Sequence, residues 1–180
     1  LPEGYMETKS IALNYGIESL GWTTDAYVNL PGGFDIHLNF LIREPKYRAF
    51  VFRPTFSDGV TEEYNFSGNN VTGLHKVEFT IEPSYSFKSW RFWLTARYVG
   101  KQFINTTNTL FFNGRWETFG GINYKLSKNF RLKLNAINIL NQKGASGNIG
   151  SADLVTDTAE YKNYLMAGKF IRPFTVELGV

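Results

Sequence analysis

The sequence predicts an all-β fold, an antiparallel sheet of about seven strands forming a segment of a transmembrane β-barrel. Three observations lead there. First, the stretch Leu110 to Leu126 alternates without a break. Leu110, Phe112, Gly114, Trp116, Thr118, Gly120, Ile122, Tyr124 and Leu126 carry no charge, and mostly polar residues such as Arg115, Glu117, Asn123 and Lys125 lie between them. Side chains of a strand alternate between faces, so this reads as one strand with an apolar and a wet face. It is longer than the roughly 9–11 residues a membrane-crossing strand needs. Second, the same alternation recurs along the chain. Third, short and long connections alternate, which gathers the tight turns at one end of the sheet and the long loops at the other. A soluble sandwich shares the apolar/polar alternation; short periplasmic turns against long extracellular loops separate the two.

In chain order, Leu20, Trp22, Thr24, Ala26, Val28 and Leu30 mark a first strand, closed by Pro31-Gly32-Gly33. Phe34, Ile36, Leu38, Phe40 and Ile42 oppose Asp35, His37, Asn39 and Arg43 in a second, and a long loop follows over Glu44–Gly73. Val77, Phe79, Ile81, Pro83, Tyr85 and Phe87 oppose Glu78, Thr80, Glu82, Ser84 and Ser86; Lys88-Ser89 is a two-residue hairpin turn. Trp90, Phe92, Leu94, Ala96 and Tyr98 oppose Arg91, Trp93, Thr95 and Arg97, and a loop over Lys101–Asn108 leads to the long strand. Ser127-Lys128-Asn129 closes the next hairpin, with Asn129 suited to the left-handed position. Phe130, Leu132, Leu134 and Ala136 oppose Arg131, Lys133 and Asn135, and a change of phase near Ile137 places Asn138 where an apolar residue is due, which reads as a bulge. The loop Gln142–Asn163 holds the small-residue run Gly144–Ala152, and Asp157-Thr158-Ala159-Glu160 suits the cap of one helical turn. Phe174, Val176, Leu178 and Val180 close a last strand, and Arg172-Pro173 at its start asks for a bulge or an edge. Aromatics near the tight turns, Phe34, Tyr85, Phe87, Trp90, Phe92, Tyr124 and Phe130, fit an interfacial girdle.

Composition agrees. The 180 residues are 17 % aromatic and contain no cysteine, which suits a bacterial envelope protein and excludes a disulfide framework or thiolate metal site. The mean hydropathy is mildly negative. No segment approaches the run of about 18 apolar residues of a membrane helix, which leaves a barrel open because its apolar residues occupy every second position. A net charge of +3 is too small and dispersed to argue for nucleic acid. Leu1-Pro2-Glu3 shows no signal pattern, so either a signal was removed or the chain begins inside a larger protein.

The segment Ala96 to Gly147, "ARYVGKQFINTTNTLFFNGRWETFGGINYKLSKNFRLKLNAINILNQKGASG", resembles the closing strands of TonB-dependent receptors of Bacteroidetes-type outer membranes. The run Asn123 to Asn141 resembles that family's penultimate strand, ending in Asn138-Ile139-Leu140-Asn141 like its Asn-apolar-apolar-Asn close. Thr55 to Gly73, with "FSDG" and "SGNNVTG", is loosely similar to one of its outer loops. The resemblance implies a plugged barrel of about 22 strands that imports bulky nutrients, namely a siderophore, cofactor, glycan or peptide. It also implies an N-terminal plug and a segment that binds TonB, neither present in these residues. Seven strands make about a third of such a barrel and leave two bare edges, which a bilayer does not tolerate. Residues 1–180 are therefore expected to be the C-terminal part of the barrel, with upstream strands on both edges. Such barrels commonly end in an aromatic, so a stop at Gly179-Val180 suggests that a few terminal residues are missing.

Counting from the Lys88-Ser89 turn puts Thr80 opposite Arg97 with Glu78 and Glu82 on the diagonals, so Arg97 lies between two carboxylates on the inner wall. With Arg115 and Glu117, these residues are candidates for plug contact or substrate path; the plainer reading is a structural charge ladder in a wet lumen. Lys125 faces Arg131 across the last turn, unfavourable unless a plug carboxylate lies near. The loop Glu44–Gly73 carries Tyr47, Phe50, Phe52, Phe56, Tyr64 and Phe66 among Lys46, Arg48 and Arg53. Exposed aromatics among cations suit a substrate or surface-lipoprotein contact, with Tyr47, Phe50, Phe52 and Tyr64 the candidates; alternatively they pack on one another as a compact loop. His37 and His75 lack ligand spacing, so no metal is expected. Glu78 and Glu82 flank Thr80 without a nucleophile and base in reach, so no catalytic residue and no cofactor are assigned. Asn65, Asn70 and Asn105 match the glycosylation pattern and read here as loop asparagines.

The leading expectation is an energy-coupled outer-membrane transporter, with outer-membrane lipid, the rest of the same receptor, TonB and possible surface lipoproteins as partners. The alternative is a free-standing small barrel of structural or porin-like role in which Thr8–Tyr15 supplies an eighth strand; an outer-membrane enzyme is a third option.

Overall fold

The computed structural model describes residues 13–56, 58–146, 156 and 169–180. Seven strands form one antiparallel sheet in chain order: β1 (Gly16–Leu30), β2 (Phe34–Arg48), β3 (Val77–Phe87), β4 (Trp90–Val99), β5 (Arg115–Lys125), β6 (Arg131–Ile137) and β7 (Thr175–Gly179). Among the described residues the sheet does not close: β1 and β7 are both edges. The described residues contain no helix. β1 and β2 are 15 residues each, about 50 Å at the usual rise.

The register aligns the apolar positions of all seven strands on one face. Rows run Leu30–Phe34–Tyr85–Phe92–Ile122–Leu134 and Thr24–Phe40–Phe79–Tyr98–Trp116 across neighbouring strands. Among the described residues no second layer covers this face: Trp22 is 68 %, Phe92 40 % and Leu134 43 % exposed. A face this apolar and this open is built to meet something other than water. Its aromatics form two clusters. Near the tight turns Trp90 packs on Tyr124 at 4.3 Å and beside Phe92 at 6.1 Å. Toward the loops Trp116 packs on Tyr98 at 5.4 Å and Phe79 at 6.4 Å. Six residues, about 20 Å of strand, separate Phe79 from Tyr85. The sequence pattern pointed to the first cluster; pairing in space completes the second.

Four local expectations are corrected. The run Leu110–Leu126 is not one strand: Phe111–Phe112 pairs with Gln102–Phe103 in a separate ribbon, and β5 begins at Arg115. At the break Gly114 lies under the Tyr98 hydroxyl, where a Cβ would clash, and Lys101 Nζ sits 3.5 Å over the Phe111 ring, giving the ribbon its own packing. The alternation persists through the break and so hides it. Asn129 is not left-handed; the Ser127 hydroxyl instead accepts the Asn129 and Phe130 N–H groups at 3.2 Å. The phase change near Ile137 is not a bulge but the end of β6, with Asn138 turning at φ 54°. Asn123–Asn141 is accordingly two strand segments and two turns. Last, Pro173 lies ahead of β7, which starts at Thr175, so it needs no bulge. Within β3, Pro83 does interrupt the ladder: pairing to β4 runs through Ile81↔Ala96, lapses, and resumes at Ser84↔Trp93.

β2 runs five residues into the segment expected as loop, and the remainder folds as a cap. A ribbon, Val51–Phe52 with Tyr64–Asn65, projects from a cluster of Tyr47, Phe50, Phe66 and Val71. Leu13–Tyr15 is irregular, and the expected eighth strand otherwise lies outside the described residues, as do the helical cap at Asp157–Glu160 and most of Gly144–Ala152.

Candidate functional site

The polar face holds two separate networks. One crosses four strands. Arg97 Nη2 on β4 meets Glu78 on β3 at 2.9 Å, and its Nη1 lies 3.9 Å from Glu117 on β5. Arg115 holds Glu117 at 2.8 Å, and Arg43 on β2 lies 3.6 Å from Glu78 while donating to the His75 carbonyl at 2.9 Å. Three guanidiniums and two carboxylates thus alternate along one line. The register explains the order: Thr80 stands opposite Arg97 as the turn count requires, and Glu117 stands opposite it on the other side.

Glu82 is not part of this line, which corrects the expectation that it flanks Arg97. His37 stands opposite Glu82 across the β2–β3 ladder, and its Nδ1 meets the carboxylate at 2.7 Å. The other ring nitrogen meets Asp25 at 2.5 Å, Tyr27 stacks on the ring at 4.1 Å, and the Thr95 hydroxyl donates to Glu82 at 3.2 Å. Tyr27, His37, Glu82 and Thr95, with Arg91 and Trp93, line a groove of about 650 Å³ near the tight turns. Both imidazole nitrogens are engaged on opposite sides of the ring, and no cluster among the described residues is arranged to hold a metal ion. The sequence reading left His37 isolated and passed over Asp25, although counting back from Pro31-Gly32-Gly33 places Tyr27 opposite His37 with Asp25 on the diagonal.

The loop aromatics take the packing alternative in part. Tyr47 is 2 % and Phe50 5 % exposed, so these two form the interior of the cap and do not present a binding surface. Phe52 and Tyr64 are half-buried against them, and Phe56 is exposed. Arg53 pairs with Glu63 at 2.6 Å. The Glu62 carboxylate accepts the Tyr64 hydroxyl hydrogen, which holds the phenol above the usual tyrosine value. The cap is stitched to the next loop: Asn108 Oδ1 accepts Asn70 N–H at 2.6 Å, its amide donates to the Asn70 carbonyl at 2.9 Å, and Gly73 N–H donates to Phe103 O at 2.9 Å. Asn105 is fully buried and donates to Thr107 and Thr109. Asn70 and Asn105 therefore serve the loop fold itself.

No family model and no curated protein matches the sequence. Solved structures do. The siderophore receptor PiuA from Acinetobacter baumannii matches over 91 % of this chain with a TM-score of 0.73 and 14 % identity. The FpvAI–pyocin S2 complex matches with a TM-score of 0.60 and 10 % identity, and BauA, the ferric preacinetobactin receptor from Acinetobacter baumannii, with 0.57 and 15 %. At these identities the likeness is one of fold. The chain spans 20–22 % of the length of those structures.

Proposed function

We propose that this chain is the C-terminal part of the barrel of a TonB-dependent outer-membrane transporter of Bacteroidetes type, importing a bulky nutrient such as a siderophore, cofactor, glycan or peptide. One observation carries the reading: a seven-stranded meander with an uncovered apolar face, a charged opposite face and two open edges superposes along nearly its whole length on receptor structures about five times longer. The apolar face meets outer-membrane lipid. The polar face, with Glu78, Glu82, Arg97, Arg115 and Glu117, lines the lumen and contacts a plug. Strands outside these residues pair with β1 and β7, because unpaired backbone groups facing hydrocarbon cost several kcal/mol each. TonB engages a segment N-terminal to the plug. The cap over residues 49–76 lies outside the cell, where Phe52, Tyr64 and Phe56 meet substrate or a surface lipoprotein while Tyr47 and Phe50 hold its shape. Neither catalysis nor nucleic-acid binding is assigned.

The test is uptake in the native host. Deleting the gene and deleting TonB should abolish import of the same nutrient, with the protein in the outer-membrane fraction. Import that continues without TonB, through a mature protein of about this chain's mass, would favour the small free-standing barrel instead.

A further inference from the structure

The apolar face changes character at its loop end. Through the rows Thr24–Phe40–Phe79–Tyr98–Trp116 and Trp22–Ile42–Val77 it carries no charge. Further along β2, the same side of the strand carries Glu44, Lys46 and Arg48. Lys76, just ahead of β3, reaches onto that side: its Nζ meets Glu44 at 2.7 Å, and Lys46 Nζ lies 3.6 Å from the same carboxylate. Two ammonium groups therefore share one carboxylate. Lys101, just past β4, is held by aromatic faces instead, with Nζ 3.5 Å over the Phe111 ring and 4.6 Å over Phe103. Lys76 and Lys101 border one cavity of about 410 Å³, lined also by Val77, Tyr98, Gly100 and Phe103. Gly100 donates its N–H to the Val77 carbonyl at 2.8 Å and brings no side chain to fill the space.

The height of this cavity selects its occupant. Tyr98 packs on Trp116 in the aromatic cluster toward the loops, and such belts mark the level where hydrocarbon gives way to headgroups. Two residues of strand advance about 7 Å, which sets Gly100 and the neighbouring ammonium groups just beyond that level. The floor of the cavity, Val77 and Tyr98, continues the apolar rows, and its rim is cationic. A ligand that matches both is an amphiphile, with an anionic head in the cavity and hydrocarbon lying down the apolar rows. A solute in the lumen does not reach it, because Tyr98 and Arg97 are consecutive on one strand and point to opposite faces. The volume is at the low end of ordinary ligand sites, about 300–1,000 Å³, and holds a sugar with its phosphate rather than a protein segment. Basic clusters at this height draw anionic lipid headgroups, and these two ammonium groups are already held in place.

We propose that the cavity between Lys76 and Lys101 binds the phosphorylated sugar head of an outer-leaflet glycolipid. This rests on the reading that the apolar face meets the outer membrane with the loops outside the cell. The experiment uses the intact protein, purified in a non-ionic detergent and titrated with phosphorylated lipid A under native mass spectrometry. The protein should retain one lipid A, and K76Q/K101Q should weaken its binding about tenfold. K88Q/K128Q, which removes two charges at the tight turns, should leave that binding unchanged. Dephosphorylated lipid A and phosphatidylglycerol should each bind about tenfold more weakly than phosphorylated lipid A. Equal weakening by the two double variants, or equal binding of either comparison lipid, overturns the site. In protein that fractionates with the outer membrane and shows heat-modifiable mobility, that result leaves the barrel reading standing with an ordinary lipid shell. Equally tight binding of inorganic phosphate, lost in K76Q/K101Q, also overturns the proposal in favour of a simple anion site. Absence from the outer membrane overturns both readings.

Discussion

Asn138 is the residue whose removal should be felt most at the C-terminal edge. It is 4 % exposed and turns the chain out of β6 at φ 54°. Its amide donates to the carbonyls of Gln142 and Arg172 at 2.9 and 3.0 Å, and its Oδ1 accepts the Gln142 N–H at 2.9 Å. The same corner is anchored to β5, since Thr118 accepts the Ile139 and Leu140 N–H groups. Asn141 then accepts Phe174 N–H at 3.4 Å. The Asn-Ile-Leu-Asn sequence is thus a corner that ties β5 and β6 to the lead-in of β7. Asn138→Ala removes three bonds worth about 0.5–1.5 kcal/mol each, so the loss should be roughly 1.5–4.5 kcal/mol. Asn138→Gly keeps the turn and should lose about 1 kcal/mol less. Denaturant unfolding of the intact protein in lipid vesicles, followed by tryptophan fluorescence, measures both. If either variant lies within about 0.5 kcal/mol of wild type, the corner does not hold the edge. If Gly is worse than Ala, the left-handed turn is not what Asn138 supplies.

Three further outcomes follow from the same geometry. Gly121→Ala places a Cβ 2.7 Å from Trp93 Nε1 and 2.8 Å from the Leu134 carbonyl, which cannot yield; it should cost about 1–3 kcal/mol in the same unfolding assay. Arg97→Ala should change stability by less than about 1 kcal/mol despite its two carboxylates, because its side chain is 42 % exposed; a larger loss would mean that the line of charges is shielded from water in the assembled protein. Deleting Pro54–Glu63, the tip of the cap ribbon, spares the Tyr47–Phe50–Phe66 cluster and should lower uptake while leaving membrane insertion intact; unchanged uptake would confine the cap to a packing role.

The faces of the strands were legible because a period of two survives any error in strand length, and short turns fix register without ambiguity. That is why Thr80 opposite Arg97 and Lys125 opposite Arg131 could be counted from sequence. Register across a long loop could not: the connection between β4 and β5 sets Glu117 against Arg97, and no local signal gives its length in space. Glu82 stands in the register counted for it, but its carboxylate pairs with His37 on β2, across the cap, which no turn count from Lys88-Ser89 reaches. The break at Gly114 was hidden by alternation that continues through it, and Asn138 looked like a bulge because a left-handed Asn and a bulged residue disturb the pattern alike. Burial of Tyr47 and Phe50 depends on a cluster that closes through Phe66 and Val71, residues too far along the chain for local periodicity to join.

The central claim is that the apolar face meets lipid and the polar face meets a wet lumen. These 180 residues contain no cysteine, so single cysteines introduced along β4 can carry a spin label once any cysteine elsewhere in the intact protein is replaced. In the intact protein reconstituted in bilayers, collision with oxygen, which partitions into lipid, is compared with collision with a water-soluble paramagnetic complex. The account predicts that oxygen access peaks at Trp90, Phe92, Leu94 and Ala96 and dips at Arg91, Trp93, Thr95 and Arg97, with a period of two. Labels at the apolar positions that neither reagent reaches, or access that does not alternate, would place this face in a protein core and contradict the account.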